Sequence, residues 1–466
     1  MVFVLRQLQE KCREQNKGLY VTFIDLTKAF DTVSRTGLWR ILEKLGCPPK
    51  FLEIIKQLHE DQLGQIRLNG DLSEHFPIAN GVKQGCVLAP FLFSIFFSMM
   101  LNQAQVDMSD QDGVYIRFRT DGDLFNLRRL QAHTKTTKRL FRELLFADDA
   151  ALVAHTECAL QQITTCFAEA AQLFGLEVSL KKTEVLHQPA PRESYSCPKI
   201  QIGQSELASV QEFTYLGCVI SSDAKLDKEI SNRLAKANNA FGGLYRRVWS
   251  NRNLKKRTKI MVYKAVILTT LLYGAESWVF YRRHLQILER FHQRCLRAIL
   301  GIHWTDFKSN VEVLETSGTV SIEAMLLKIQ LRWSGHVSRM EDRRLPKAVF
   351  FGELSTGYRT VGAPLKRYKD SLKCSLSLCH IDHRTWTKEA AERDPWRQKI
   401  SNATMDFERN RRESLEAKRQ RRKASGKSVT NSNQSTQTCD RCGRICTSRI
   451  GLISHQRACL RRGNIR

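Results

Sequence analysis

The stretch Leu144–Ala154, LLFADDAALVA, sets two apolar runs on either side of the adjacent carboxylates Asp148 and Asp149. Apolar runs of this length, split by so short a polar interruption, predict a β-hairpin with the two aspartates at its tip. Adjacent negative charges repel, and the only basic neighbour close by is Arg142. The pair therefore either caps a turn in water or holds something positive.

A third carboxylate has a similar setting. Leu19–Ile24, LYVTFI, is β-branched and aromatic, ends abruptly at Asp25 and continues into the helix-compatible LTKAFDTV. A carboxylate at the carboxyl end of a buried strand commonly holds a ligand, although a helix N-cap accounts for Asp25 equally well. The two features together imply more than either does alone. Three carboxylates gathered without matching cations would repel strongly, so such a cluster normally binds divalent metal. Two Mg²⁺ ions on shared carboxylates are what an in-line nucleotidyl transfer uses to stabilise the attacking and leaving oxygens.

Charge points the same way. The 466 residues carry 74 Lys and Arg against 47 Asp and Glu, a net charge of +27, which favours a polyanionic partner such as nucleic acid through release of condensed counterions. An apolar content of 42% excludes disorder of the whole. The longest apolar stretches, APFLFSIFFSMML and AVILTTLLYGA, fall short of the roughly 20 residues a membrane span needs and read as buried helices. Arg6 interrupts the apolar start MVFVL and no cleavage-like site follows, so no secretory signal is expected. These readings exclude a membrane partner and secretion, and place the chain in nucleus or cytoplasm. Fourteen cysteines in such a chain argue for reduced thiols rather than disulfides.

Four of them crowd the end of the chain. Cys439-x2-Cys442-x12-His455-x3-Cys459 has the spacing of a ββα zinc finger whose last histidine is replaced by cysteine, with Leu452 at the core-leucine position and Cys446 as apolar filler in place of the usual aromatic. Organisation follows from composition. Residues 1–222 alternate short β-like runs with helical segments, and 223–400 are helical and rich in Arg and Lys. Residues 401–438 pass from a charged segment into a Ser/Thr/Asn/Gln linker, and 439–462 form the Cys/His module.

The ordered series FIDLTKAFDTV, NGVKQGCVLAPFLFSIF, LLFADDAALVA, GLEVSLKKTEVL and FTYLGCVIS resembles the palm of a non-LTR (LINE-type) retrotransposon reverse transcriptase, and RWSGHVSRM, RLP and DPWR are similar to the region that follows it. The resemblance implies an α+β right-hand polymerase: a palm with an antiparallel sheet flanked by helices, an all-helical thumb and C-terminal region, and the small ββα-like zinc finger. It implies an RNA-directed DNA polymerase acting on an RNA template, a DNA primer and dNTPs, with two Mg²⁺ ions and a structural Zn²⁺. Asp25 and Asp148 match the metal-binding aspartates, Asp149 their partner, and Asp31 a structural position. Phe30 matches the side chain that crowds a ribose 2′-hydroxyl. Gln84 and Gly85 match the motif at template and incoming nucleotide, and Phe213–Gly217 the hairpin that grips the primer. Lys182 matches the lysine that protonates departing pyrophosphate, with Lys181 as its alternative. Against the family pattern, only some two dozen residues precede Asp25, so most of the fingers and an N-terminal endonuclease are expected to be missing. The alternative is then a truncated product that binds nucleic acid and catalyses nothing.

Overall fold

The computed structural model describes residues 1–109, 112–132, 134–357, 359, 365–428, 437–440, 442–446 and 449–463. At its centre is a five-stranded sheet built from β1 (Leu19–Ile24), β4 (Glu143–Phe146), β5 (Asp149–Ala154), β6 (Glu184–Gln188) and β7 (Ala208–Val210), in the order β7-β6-β1-β5-β4. Neighbours are antiparallel except β6 and the edge strand β7, which run parallel. Between β1 and β4 in the chain lie β2 (Val114–Phe118) and β3 (Thr137–Phe141), which form a separate sheet with β10 (Gly352–Leu354).

Both faces of the central sheet are buried. Thr22, Ile24, Ala150 and Leu152 face α4 (Ala89–Val106) and α5 (Glu157–Leu173), while Val21, Phe23, Ala151 and Val153 face the opposite way. That is why these strands read in the sequence as continuous apolar runs instead of alternating patterns. On the second face lie α1 (Val2–Glu14) and a late stretch of chain: α8 (Ile322–Arg339), α9 (Leu345–Phe351), α10 (Tyr368–Leu378) and the start of α11 (Arg393–Ser428). A separate core is formed within residues 226–326, around α6 (Asp227–Gly243) and α7 (Arg282–Leu300). Residues 331–400 thus share their core with the central sheet, and among the described residues the preceding helical segment has a core of its own.

One contact ties the late helices to one another, and buried charge ties them to α1. Trp396, from DPWR, lies against Gly335, from RWSGH, and donates its indole N–H to the Leu331 carbonyl at 3.2 Å. Buried charge does the rest. Lys11 Nζ donates to the Gly352 carbonyl at 2.8 Å and lies 3.3 Å from Glu353, which also pairs with Lys369 at 2.9 Å. Glu10 accepts the Tyr368 backbone N–H at 2.7 Å, capping α10. Burial would raise the Glu353 carboxyl, but Lys11 and Lys369 outweigh it and hold it down to about 2. Burial pushes Glu10 up to about 7, with Lys11 opposing, and brings Lys369 down to about 8 against the attraction of Glu353.

The charged stretch after residue 400 is one helix to Ser428, fastened by Glu408, which accepts from the Ser321 hydroxyl at 2.5 Å and pairs with Arg412 at 2.9 Å. Residues 429–436 of the expected linker lie outside the described residues. The finger has the ββα order: β11 (Gln437–Thr438), β12 (Ile445–Cys446) and α12 (Arg449–Gly463). Among the described residues, no helix is long and apolar enough to cross a membrane.

Candidate functional site

Strand register brings the carboxylates to one end of the sheet. Ile24 pairs with Ala150, so one residue further on Asp25 stands opposite Asp149. Phe146 pairs with Asp149 across the hairpin, leaving Ala147 and Asp148 as the two-residue turn, with Ala147 at φ 54° in the left-handed region. The Asp25 backbone is pinned on both sides. Its N–H donates to Thr183 Oγ1 at 3.3 Å and its carbonyl accepts the Ser179 N–H at 2.8 Å.

Three carboxylates meet one lysine here. Asp25 Oδ2 is screened from solvent and accepts no hydrogen bond, and Lys182 Nζ lies 3.3 Å from it. Burial raises the Asp149 carboxyl above the usual range, and the charges of Asp148 and Asp25 raise it further. Of the two candidate lysines, Lys182 is therefore the one that reaches the carboxylates, on a side chain 72% exposed. An Asp25 oxygen that is screened from solvent and makes no hydrogen bond, with one exposed lysine set against three carboxylates, fits a divalent cation. The three aspartates are neighbours by register and charge; they do not close into a ready-made ligand cluster among the described residues.

Beside this end of the sheet, Lys28 at φ 47° turns the chain into a short helix, Ala29–Thr32, that presents Phe30. The Phe30 ring is half-buried and stacks on Phe93 with centroids 4.3 Å apart. The loop with Gln84 and Gly85 is tied here: Val82 N–H donates to the Phe30 carbonyl at 2.8 Å, and Gln84 Nε2 to Asp31 at 3.4 Å. Gly81 is required by this approach, since at φ 83° its Cβ would come within 2.6 Å of the Asp31 backbone. Gly85, at φ 87°, needs glycine for its conformation alone.

Arg35 was not singled out in the sequence and organises this corner. Its guanidinium donates to the carbonyls of Gly81 (2.9 Å), His59 (2.5 Å) and Ile78 (3.0 Å), and to Gln62 Oε1 (2.8 Å). The hairpin of β8 (Glu212–Tyr215) and β9 (Cys218–Ser221) turns through Leu216 at φ 47° and Gly217 at φ 77°. Phe213 stacks on Phe23 at 4.0 Å, and Tyr215 donates its hydroxyl to the Leu144 carbonyl at 2.8 Å, joining this hairpin to the one that carries Asp148. A buried pair on α6 holds the turn: Glu229 accepts the Val219 N–H at 2.6 Å, and Arg233, 2.8 Å from Glu229, donates to the Gly217 carbonyl. The Glu229–Arg233 spacing of one helical turn was visible in the sequence, although its target was not.

At the far end of the chain, the ligand atoms of Cys439, Cys442, His455 and Cys459 all lie within 4.8 Å of one another, and Cys442 Sγ is 3.0 Å from His455 Nε2. The loop between β11 and β12 is closed by Gly443 N–H on the Cys439 carbonyl at 2.9 Å. Thiolate sulfurs around one zinc ion at about 2.3 Å each lie roughly 4 Å apart, so a Cys₃His set of these dimensions is compatible with zinc. Cys446 is buried and stands outside the cluster.

Residues 3–220 match the family model described as reverse transcriptase (RNA-dependent DNA polymerase). The RNA-directed DNA polymerase from mobile element jockey of Drosophila melanogaster is 23% identical over 62% of this chain and 29% of its own length. A transposon-derived protein of Caenorhabditis elegans is 26% identical over 55% of this chain and 94% of its own. The Pol polyprotein from type-2 retrotransposable element R2DM of Drosophila melanogaster is 26% identical over 43% and 17%. The chain thus spans under a third of the jockey polymerase.

Proposed function

The chain carries a reverse transcriptase domain related to the RNA-directed DNA polymerases of non-LTR retrotransposons, and from that premise we propose that it extends a DNA primer on an RNA template by divalent-metal nucleotidyl transfer. The observation that carries this reading is the placement of Asp25 opposite Asp149, beside the Asp148 turn, with Asp25 Oδ2 screened from solvent, making no hydrogen bond and lying 3.3 Å from Lys182 Nζ.

Asp25 and Asp148 would hold two Mg²⁺ ions, with Asp149 adding negative charge beside them. Bound there, Mg²⁺ would supply charge neutralisation at the attacking and leaving oxygens. Lys182 stands ready to give a proton to the departing pyrophosphate, since it is exposed and already at the Asp25 carboxylate. Phe30, held against Phe93, would crowd the 2′-position of the incoming sugar. The Gln84–Gly85 loop would lie under the templating pair, and the Phe213–Gly217 turn against the primer end. Arg282, Arg290 and Arg294 are exposed along α7, where phosphate contacts would position the template–primer duplex without reading its sequence. The Cys₃His module would fold around one Zn²⁺ and add a second, small nucleic-acid contact.

The test is primer extension on an RNA template by the purified chain with Mg²⁺ and dNTPs, with Asp148→Ala as control. Template-dependent extension that Asp148→Ala abolishes is the expected result. Equal incorporation by both proteins would refute polymerase activity of this polypeptide.

A further inference from the structure

A cavity of about 540 Å³ lies behind the β8–β9 hairpin, walled by α1, the strand Val219–Ser221, the start of α7 and residues 365–366. Its size falls within the range of small-molecule sites and is far too small for a duplex. Six cations line it, Arg6, Arg13, Lys225, Arg282, Arg283 and Lys366, against two carboxylates, Glu10 and Asp227. Both acids are already engaged. Glu10 caps α10, and Asp227 pairs with Arg283 at 2.8 Å and His284 at 3.2 Å.

Several of the cations are not matched in this way. Arg6 donates to the Val219 carbonyl and Arg13 to the Ala224 carbonyl, and Lys366 stands over the Phe280 ring at 5.8 Å. Among the described residues, none of these three has a carboxylate within ion-pair distance. The Nε donors of Arg6 and Arg13 are buried and make no hydrogen bond. Leaving charged donors buried and unpartnered is costly, and an anion against these guanidinium groups would offset that cost. The rest of the wall is different in kind: Val279, Tyr281 and Leu365 offer apolar and aromatic surface.

An anionic end and a flat apolar body are what such a lining accepts. We propose that this cavity is a mononucleotide-binding site separate from the catalytic aspartates, with phosphate among Arg6, Arg13 and Lys366 and the base against Tyr281 and Leu365. Occupancy acts on the hairpin that would grip the primer, because Arg6 holds the Val219 carbonyl and Val219–Ser221 form one wall.

The experiment is isothermal titration of the full chain with ADP in EDTA, which removes the cation-dependent contribution of the catalytic site. One saturable site is expected, weakened at least ten-fold in Lys366→Gln and in Arg13→Gln, with thermal melting confirming that both variants fold. The double variant Lys255→Gln/Lys256→Gln, which removes two exposed charges away from the cavity, is expected to bind as wild type. No saturable binding, or equal weakening in that control, would overturn the proposal. Inorganic pyrophosphate is expected to bind at least ten-fold more weakly than ADP; equal affinity would overturn the assignment of a nucleotide. None of these outcomes depends on polymerase activity.

Discussion

Trp396 closes on Gly335 so tightly that a Cβ on the glycine would overlap the indole, Nε1 first. Both residues belong to short motifs of the late chain, and their contact shows what those motifs do: they seat the long helix α11 on α8, beneath the palm. Gly335→Ala is therefore expected to destabilise the fold by about 3 kcal/mol, the upper end of overpacking costs, because the indole is buried and has nowhere to move. Urea unfolding of the variant checks this, and a change under 0.5 kcal/mol would contradict the contact.

Lys182 and Lys181 are neighbours in sequence, but the ion pair with Asp25 is made by Lys182. If Lys182 is the proton donor, Lys182→Gln should lower kcat about 100-fold with little change in KM for dNTP, while Lys181→Gln stays near wild type. Single-nucleotide incorporation kinetics would separate the two. Comparable losses in both variants would assign the lysines to phosphate binding instead.

The aspartate-bearing end of the sheet was legible because it is local. Two apolar runs and their terminal aspartates specify β1 and the β4–β5 hairpin, and pairing β1 with β5 then follows from burying both. Arg35 was illegible for the opposite reason: its acceptors are backbone carbonyls from residues 59 to 81, exposed only by a chain reversal that leaves no side-chain pattern. Lys11 and Glu353 are separated by most of the chain, and a charged residue in an amphipathic helix gives no sign that it will be buried against its partner. Residues 401–428 read as a charged segment because their helix is held by tertiary contacts through Trp396 and Glu408, not by an apolar stripe of its own.

Phe30 stacks on Phe93, which fixes the ring and leaves it only half-buried. Phe30→Val keeps an apolar side chain at the site but shortens it. Misincorporation of ribonucleotides should rise by at least ten-fold, with dNTP incorporation reduced only a few-fold. Competition assays with matched dNTP and rNTP measure the ratio. An unchanged ratio would leave Phe30 as a packing residue.

The Cys₃His cluster predicts about one zinc ion per chain by elemental analysis, lost in Cys439→Ser. Because so small a module buries little surface, chelation should unfold it while the rest of the chain keeps its melting transition. Zinc retained by the Cys446→Ser variant would place that thiol outside the ligand set, as its position does. Loss of zinc there would move it in.

The buried charge network gives the fold a pH dependence that can be assigned to one group. Glu10 has its carboxyl raised from 4.5 to about 7. The folded state therefore binds this proton more tightly than the unfolded chain, and the stabilisation, complete below 4.5, is lost as pH rises through about 7. Glu353, held down to about 2, acts in a different window: its contribution is present above 4.5 and is lost as pH falls toward 2. His155, His284 and His292, all lowered by burial, oppose Glu10 within its own window, since their stabilisation is present above 6.5 and falls away in acid. Comparing Glu10→Gln with wild type cancels the histidines. The stability difference, variant minus wild type, should grow by about 3 kcal/mol between pH 4.5 and pH 8, measured by denaturant unfolding at each pH. A difference independent of pH would mean that Glu10 is ionised throughout, with Lys11 outweighing its burial.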